Sequence, residues 1–212
     1  MSARPIRVKI CGITRPEDAI AAVDLGADYL GLNFFAGSPR VVSLETAAEI
    51  ADAIGRRASL VGVFVNRPPD EVERIAARVP LDLLQFHGDE SPDTVERFAE
   101  RAIRALRVDG PIDERAIAPY PSAWGFLVDV RHPDLYGGTG ISWPYDWIDT
   151  LPRDRPVLIA GGIGPGTARA AVRAASAWGI DVCSAVESAP GIKDHDLLRR
   201  LFAEVKGERD AS

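Results

Sequence analysis

A thiol and a carboxylate stand out in this sequence because each interrupts or ends an apolar run. Cys11 ends the run 8–11 and is followed by Gly12, and Asp129 lies within the run 126–130. A thiol acts as a base once a nearby cation or backbone N–H groups lower its pKa. The carboxylate is either paired structurally or available as an acid, and the alternative for Cys11 is a packed free cysteine. Together the two side chains offer acid–base catalysis, which needs one protonated and one deprotonated group.

Two further segments offer backbone N–H groups to a phosphate. Gly161 and Gly162 precede a predicted helix, and Ser184 and Ala185 lie shortly before the last predicted helix. Glycine lets the backbone approach an anion closely, and N–H groups at the start of a helix point at it. In barrel enzymes the loops after strands seven and eight form the common phosphate site. We therefore predict phosphate binding there, with simple tight turns as the alternative.

Lys9 lies two residues before Cys11, so both side chains share one face of the predicted strand. A buried ammonium group needs a partner. Asp181, on the predicted eighth strand, is the expected partner. The alternative is that the Lys9 side chain extends past the start of the strand into solvent.

The elements that position these residues alternate between short β-branched runs and amphipathic, Ala-rich segments, which predicts βαβ units. Eight units in about 200 residues is the number in a (β/α)8 TIM barrel, whereas a doubly wound sheet usually has fewer strands. Without a linker or composition break, residues 1–212 are expected to form a single α/β barrel domain. The predicted strands are 8–11, 29–35, 60–65, 81–86, 103–108, 125–130, 157–160 and 181–186.

A helix is predicted after each strand. The first begins at a capping box formed by Thr14 and Glu17, with Pro16 in its first turn. The stretch 132–143 is rich in glycine and aromatic residues and is expected to be irregular. The remaining predicted helices are 44–54, 70–78, 92–101, 112–118, 145–150, 165–177 and 194–205.

Composition limits the function. The chain has 212 residues, 46% of them hydrophobic, and a net charge of −6, which is typical of a soluble globular protein and argues against nucleic-acid binding. Two cysteines do not make a disulfide framework, and three dispersed histidines lack the spacing of a zinc site. With no signal peptide and no apolar run of about 18 residues, we expect a cytoplasmic protein with no membrane partner and no metal.

Taken in chain order, the motifs resemble those of the phosphoribosylanthranilate isomerase family of tryptophan biosynthesis. They span residues 8 to 194, and the ordered set is far more specific than any one of them. The matching segments are 9–14 (KICGIT), 38–40 (SPR), 62–66 (GVFVN), 85–90 (QFHGDE), Asp129, 137–140 (GGTG), 160–162 (AGG), 184–188 (SAVES) and 190–194 (PGIKD).

The resemblance implies an Amadori rearrangement without a cofactor. The substrate is N-(5′-phosphoribosyl)anthranilate and the product is 1-(2-carboxyphenylamino)-1-deoxyribulose 5-phosphate. Asp129 resembles the general acid that protonates the ribose ring oxygen, and Cys11 the general base that removes the C2′ proton. Arg40 resembles the residue that holds the anthranilate moiety, since a guanidinium suits both a carboxylate and an aromatic ring. The resemblance places the substrate phosphate on the backbone of Gly161, Gly162, Ser184 and Ala185.

Two positions depart from the family pattern. Ala185 stands where glycine is usual, and Cys183 stands where serine is usual. A methyl group at position 185 either crowds the phosphate loop or is harmless if φ is negative there. His87 is interpreted as a structural residue that holds the fourth loop, and the resemblance leaves a monomer or a homodimer open.

Two other functions are compatible with a phosphate-binding barrel. The histidine-pathway aminoaldose isomerase is expected to carry aspartate at the position of Cys11. It is also expected to have a second phosphate loop after the third strand, where this chain has residues 66–69 (NRPP). A non-catalytic phosphosugar-binding barrel would need the phosphate loops but not Cys11 together with Asp129.

Overall fold

Eight parallel strands close into a barrel in strict chain order, which confirms the predicted TIM-barrel fold. The computed structural model describes residues 6–130, 145–151, 154–174 and 177–209. The predicted irregular stretch 132–143, with its GGTG motif, lies outside these residues. The strands are β1 (Arg7–Cys11), β2 (Tyr29–Asn33), β3 (Ser59–Phe64), β4 (Leu83–Phe86), β5 (Ala102–Val108), β6 (Gly125–Val130), β7 (Val157–Ala160) and β8 (Gly179–Val182).

Among the described residues, the connections hold fewer α-helices than the sequence predicts, and several of these helices are shorter than predicted. A short antiparallel hairpin follows β8, formed by β9 (Glu187–Ala189) and β10 (Ile192–Lys193). The described 3-10 turns are Ala99–Arg101, Glu114–Ala116, Tyr145–Ile148 and Ser184–Val186. The described α-helices are α1 (Pro16–Leu25), α2 (Leu44–Ile54), α3 (Pro69–Ala76), α4 (Pro92–Glu96), α5 (Ala168–Ala174) and α6 (His195–Arg209).

The predicted α-helix at 112–118 is wrong, because the structure has only the 3-10 turn Glu114–Ala116 there. Prolines at positions 111 and 119 bracket this segment. A residue that precedes proline is disfavoured in the α conformation, so the segment is too short to propagate a helix. The predicted helix at 145–150 is likewise only the 3-10 turn Tyr145–Ile148.

The interior of the barrel is filled with apolar side chains, and polar side chains lie at the carboxyl ends of its strands. Leu127 belongs to the buried cluster that fills the barrel, as side chains do in this fold. Because side chains alternate along a strand, Asp129 faces the same interior two residues further on. The other members of the interior cluster are Val61, Leu83, Ile103, Ala105, Leu158 and Ala160. The polar side chains at the strand ends therefore lie on a rigid apolar base.

The capping-box prediction at the start of α1 is also wrong. Arg15 occupies the N-cap position without a side-chain cap, although Pro16 does begin the helix. The hydroxyl of Thr14 instead donates a hydrogen bond to the carbonyl of Gly191 in the β9–β10 turn. The loop after β1 is thereby attached to the loop after β8.

Glu90 fixes the loop that follows β4. Its carboxylate is 2% exposed and pairs with Arg104 on β5 at 2.7 Å. It also accepts hydrogen bonds from the backbone N–H groups of Asn66 and Gly88. One buried carboxylate thus holds the loops after β3 and β4 against β5.

We expect Glu90→Ala to lower the free energy of unfolding by about 3–5 kcal/mol, because Arg104 would be left as an uncompensated, largely buried charge. Asp89→Asn is the matched control, since Asp89 is 81% exposed in its ion pair with Arg107. An exposed pair contributes at most about 1 kcal/mol. Urea denaturation of the three proteins measures both values, and equal losses in the two variants would contradict this account.

Candidate active site

A cavity of about 980 Å³ opens at the carboxyl ends of the strands. This is the end of the barrel at which enzymes of this fold keep their chemistry. A second cavity, of about 840 Å³, lies at the opposite end, where Arg7, Tyr29 and Asp82 stand at the strand starts. All seven residues predicted for the site line the first cavity: Cys11, Arg40, Asp129, Gly161, Gly162, Ser184 and Ala185.

The predicted ion pair beneath Cys11 is confirmed. Lys9 is fully buried, and its Nζ lies 2.8 Å from Oδ1 of Asp181, the residue opposite it in the β1–β8 register. Burial alone would lower the pKa of Lys9, but Asp181 and Cys11 raise it above its usual value. Burial raises the pKa of Asp181 to about 6 against the attraction of Lys9. At neutral pH both groups are therefore charged.

Cys11 lies above this pair as a half-buried thiol whose pKa is held well below its ordinary value. The largest cause is a hydrogen bond from the Cys183 thiol, and the charges of Lys9 and Lys193 lower the pKa further against the effect of burial. The same hydrogen bond raises the pKa of Cys183 far above the ordinary thiol value. Cys11 is therefore the more readily ionised of the two thiols.

Lys193 connects the carboxyl ends of β1 and β8, where Cys11 and Cys183 lie. Its fully buried ammonium donates hydrogen bonds to the carbonyl oxygens of Cys11 and Cys183, at 2.6 and 3.2 Å. It also pairs with Oε1 of Glu187 at 2.8 Å. The ends of β1 and β8 are thus held together by one cation, and this cation also lies close to the thiolate.

Glu187 in turn fixes the guanidinium of Arg40 at the cavity. Its carboxylate, 4% exposed, accepts hydrogen bonds from Nη2 of Arg40 at 2.6 Å and from Nε at 2.9 Å. Gly12 permits this approach, because a Cβ on it would lie 2.6 Å from Cδ of Arg40 and because its φ is +71°. Nε and Nη2 bind Glu187, and Nη1 of Arg40 takes no part in this ion pair.

Asp129, across the barrel from Cys11, is held by a chain of two further polar residues. Nε2 of His87 lies 3.3 Å from Oδ2 of Asp129, and Nδ1 of His87 lies 2.8 Å from the Gln85 amide. The amide orientation sets which ring nitrogen carries the proton. His87 is thus the side-chain partner of Asp129, and Gln85 is that of His87. The interpretation of His87 as a purely structural residue is therefore incomplete.

The two predicted phosphate segments lie side by side after β7 and β8 and line the same cavity. Gly161 has φ of +92°, and a Cβ on it would lie 2.6 Å from the carbonyl oxygen of Val130. Thr167 fastens the first segment, accepting from the N–H of Gly164 at 3.0 Å and donating to the carbonyl of Gly162 at 3.1 Å. The backbone at this turn is thus fixed with its N–H groups near the cavity.

Ala185, which departs from the family pattern, causes no backbone strain. It is not among the described non-glycine residues with positive φ. Its methyl group lies where a Cβ on Gly164 would stand, so the missing side chain of Gly164 makes room for it. The condition on φ under which this methyl group was expected to be harmless is therefore met.

Several residues that support the site were not assigned this role from the sequence. Cys183 could have been found, because it lies two residues after Asp181 just as Cys11 lies two residues after Lys9. Glu187 and Lys193 lie within the 184–188 and 190–194 motifs, but their contacts with Arg40 and Cys11 could not be found from the sequence, because these partners are 147 and 182 positions away. Within the described ranges, no group of three His, Cys, Asp or Glu side chains could hold a metal ion.

A parallel (β/α)8 barrel with a thiolate and a carboxylate at the carboxyl ends of its strands is the arrangement of an acid–base enzyme. The family model described as N-(5′-phosphoribosyl)anthranilate (PRA) isomerase matches residues 8–204. The chain belongs to this family. The expected enzyme class, an isomerase of tryptophan biosynthesis, is confirmed with it.

Individual relatives agree along the whole chain. The N-(5′-phosphoribosyl)anthranilate isomerase of Rubrobacter xylanophilus is 43% identical over 205 residues, covering 94% of this chain and 98% of its own. The crystal structure of phosphoribosyl anthranilate isomerase from Thermus thermophilus is 38% identical with a TM-score of 0.84, covering 96% of this chain and 100% of its own.

Two other solved structures carry information on ligand and assembly. One, 33% identical with a TM-score of 0.83, is a phosphoribosyl anthranilate isomerase in complex with reduced 1-(o-carboxyphenylamino)-1-deoxyribulose 5-phosphate. The other, 33% identical with a TM-score of 0.80, represents monomers generated from the dimeric enzyme of Thermotoga maritima. Each covers 95% of this chain and 99% of its own.

Replacement of Cys183 tests what lowers the pKa of Cys11. We expect Cys183→Ala to raise this pKa, because the hydrogen bond to the thiolate is lost. Cys183→Ser is the matched variant: its hydroxyl still donates, so the pKa of Cys11 stays low. The rate at which iodoacetamide alkylates Cys11 between pH 5 and 10 measures the ionisation, with the modified peptide quantified by mass spectrometry. A curve for Cys183→Ala that coincides with that of the wild type would contradict the assignment.

Proposed function

We propose that this chain converts N-(5′-phosphoribosyl)anthranilate into 1-(2-carboxyphenylamino)-1-deoxyribulose 5-phosphate, with Asp129 as general acid and Cys11 as general base. The observation that carries the proposal is that one cavity holds both halves of the required chemistry. The Cys11 thiol, whose pKa is lowered by Cys183, Lys9 and Lys193, stands on β1, and the Asp129 carboxyl group, with His87 as its partner, stands on β6. The family membership supplies the substrate.

The first step opens the sugar ring. Asp129 gives a proton to the ribose ring oxygen as the bond from this oxygen to C1′ breaks, and the anthranilate nitrogen supplies electrons to form an iminium ion. His87 acts as a positioning residue, because its Nε2 fixes the orientation of the carboxyl group and Gln85 fixes the ring in turn. Proton donation at a breaking C–O bond typically contributes a factor of about 10² to 10⁴ in rate.

The second step moves the double bond. The Cys11 thiolate removes the proton from C2′, and the electrons of the C–H bond neutralise the iminium to give an enolamine, which tautomerises to the ketone. The hydrogen bond with Cys183 and the charges of Lys9 and Lys193 lower the pKa of the Cys11 thiol and so favour its ionised form before the step. Because Lys9 remains neutralised by Asp181, the site avoids an uncompensated buried charge.

Substrate binding uses the two ends of the cavity. Arg40, preset by Glu187, offers Nη1 to the anthranilate carboxylate. The phosphate is held at the opposite side by backbone N–H groups, without a cofactor or a metal. The residues proposed to supply these groups are Gly161, Gly162, Ser184 and Ala185.

We also propose that the 212 residues act as one barrel domain in the cytoplasm, as a monomer or homodimer without nucleic-acid or membrane partners. The dimeric relative supports the homodimer as one of the two states. Among the described residues, no helix has both the length and the apolar character needed to cross a bilayer. Size-exclusion chromatography with light scattering distinguishes the two assembly states.

The histidine-pathway alternative is disfavoured at the loop after β3, where it would need a second phosphate site. The N–H of Asn66 already donates to Glu90 at 2.8 Å. The guanidinium of Arg67 is engaged by Glu71 and by the carbonyl of Phe34, both at 2.6 Å. The donors that a second phosphate would require are therefore already used.

We expect Cys11→Ser and Asp129→Asn each to lower kcat for phosphoribosylanthranilate by at least about 10², because each removes one proton-transfer group. The decrease in substrate fluorescence follows turnover. Asp89→Asn, an exposed carboxylate that does not line the cavity, is the control and should keep wild-type activity. Near-wild-type turnover in either site variant would overturn the assignment, and no turnover by folded wild-type protein would overturn the proposed function.

Arg40→Gln tests the binding role separately. We expect KM to rise by at least about tenfold while kcat changes less, because the lost interaction with the carboxylate is present in both ground and transition states. Arg40→Lys keeps the positive charge but loses the planar guanidinium group, so its KM is expected to lie between those of the wild type and Arg40→Gln. A fall in kcat at unchanged KM would contradict a role in holding the anthranilate moiety.

A further inference from the structure

The chain has two cysteines. Both lie where β1 pairs with β8. Ile10 on β1 stands opposite Val182 on β8 in the parallel register, so Cys11 and Cys183 are the next residues along each strand. Lys9 and Asp181, two residues earlier, already meet across this pair of strands at 2.8 Å. Because side chains alternate, the two thiols point to the same interior side of the barrel.

Direct contact between the two side chains follows from this register. The Cys11 and Cys183 thiols are hydrogen-bond partners of each other, and Sγ of Cys183 also lies 4.0 Å from Oε1 of Glu187. Neighbouring strands lie about 4.8 Å apart, which falls within the range of Cα separations, about 4.4–6.8 Å, that a disulfide spans. Bond formation therefore needs side-chain rotation and only a small backbone adjustment.

Both thiols are also open to a small reagent. Each is half-buried, and each lines the cavity of about 980 Å³. The ammonium groups of Lys9 and Lys193 lie beneath Cys11. A thiolate in an electropositive, partly exposed position next to a second thiol is the setting in which cysteines undergo reversible oxidation.

We propose that Cys11 and Cys183 form an oxidation site that takes a hydroperoxide, hydrogen peroxide being the simplest, and closes to a reversible Cys11–Cys183 disulfide. The disulfide form lacks the Cys11 thiolate and therefore turns over no substrate. This last consequence rests on the function proposed for Cys11, whereas formation of the disulfide does not.

The chemistry takes two steps. The Cys11 thiolate attacks one oxygen of the peroxide, the O–O bond breaks, and hydroxide leaves, so that Cys11 becomes a sulfenic acid. The Cys183 sulfur then attacks the sulfur of this sulfenic acid, the S–O bond breaks, and water leaves with the thiol proton. Overall, two thiols are oxidised by two electrons and one peroxide is reduced to two waters. A dithiol reductant reverses the reaction by thiol–disulfide exchange.

The test exposes the reduced full chain to hydrogen peroxide, blocks the remaining thiols with iodoacetamide, and measures mass and turnover. For the wild type we expect the loss of two hydrogens, a linked peptide pair that contains positions 11 and 183, and turnover that falls at least about tenfold and returns with dithiothreitol. Cys183→Ser, compared with its own reduced activity, is expected to gain oxygen at Cys11 instead, and dithiothreitol should not restore it after prolonged exposure.

Cys11→Ser serves as a second variant, because it removes the attacking thiolate and must give no linked peptide. Wild-type protein that gains oxygen at Cys11 without a linked peptide would overturn the proposal, as would linkage only between chains on a non-reducing gel. A Cys11–Cys183 disulfide that leaves turnover unchanged would confirm the oxidation site and contradict the role of Cys11 as base. The two claims therefore fail separately.

Discussion

Lys9 and Asp181 meet inside the barrel at the seam where β1 closes against β8, and both charges are removed from bulk water. Burying such a pair is costly unless its geometry is good, so the 2.8 Å contact ties the register of the closing strands to the satisfaction of two charges. A slip of one residue would separate them. The same register brings Cys11 and Cys183 side by side directly above, and the retained positive charge of Lys9 favours the thiolate. The interaction that closes the fold thus also contributes to the lowered pKa of the proposed base, together with Cys183 and Lys193.

The loops around the cavity are joined by a second set of buried charges. Lys193 and Glu187 connect the carbonyl ends of β1 and β8 to the guanidinium of Arg40. On the other side, Glu90 holds the loop that carries His87, and through it the orientation of Asp129. The proposed acid, base and carboxylate-binding group are each supported by a charged residue that is itself nearly excluded from solvent. Positions set in this way lose little conformational freedom when substrate binds.

The sequence predicted the structure well where side chains alternate along a strand or where polar residues follow the end of a strand. It predicted eight strands, the pairing of Lys9 with Asp181 and seven of the residues that line the cavity. It failed where a backbone departs locally from its propensity: the eighth strand ends at Val182, because Cys183 leaves the extended conformation with ψ of −89° and a 3-10 turn follows. It could not give the contact between Lys193 and Cys11, which lie 182 positions apart. Such contacts arise only once the barrel has closed, and no local pattern encodes them.

The central claim is that the Cys11 thiolate is the group that takes the proton. The most direct measurement is the pH dependence of kcat/KM for phosphoribosylanthranilate, set beside the alkylation titration of Cys11 in the same enzyme. The account predicts that the acid limb of kcat/KM and the alkylation curve share one apparent pKa below the ordinary thiol value, and that both move upward together in Cys183→Ala. An acid limb that stays in place while the titration of Cys11 moves would contradict it.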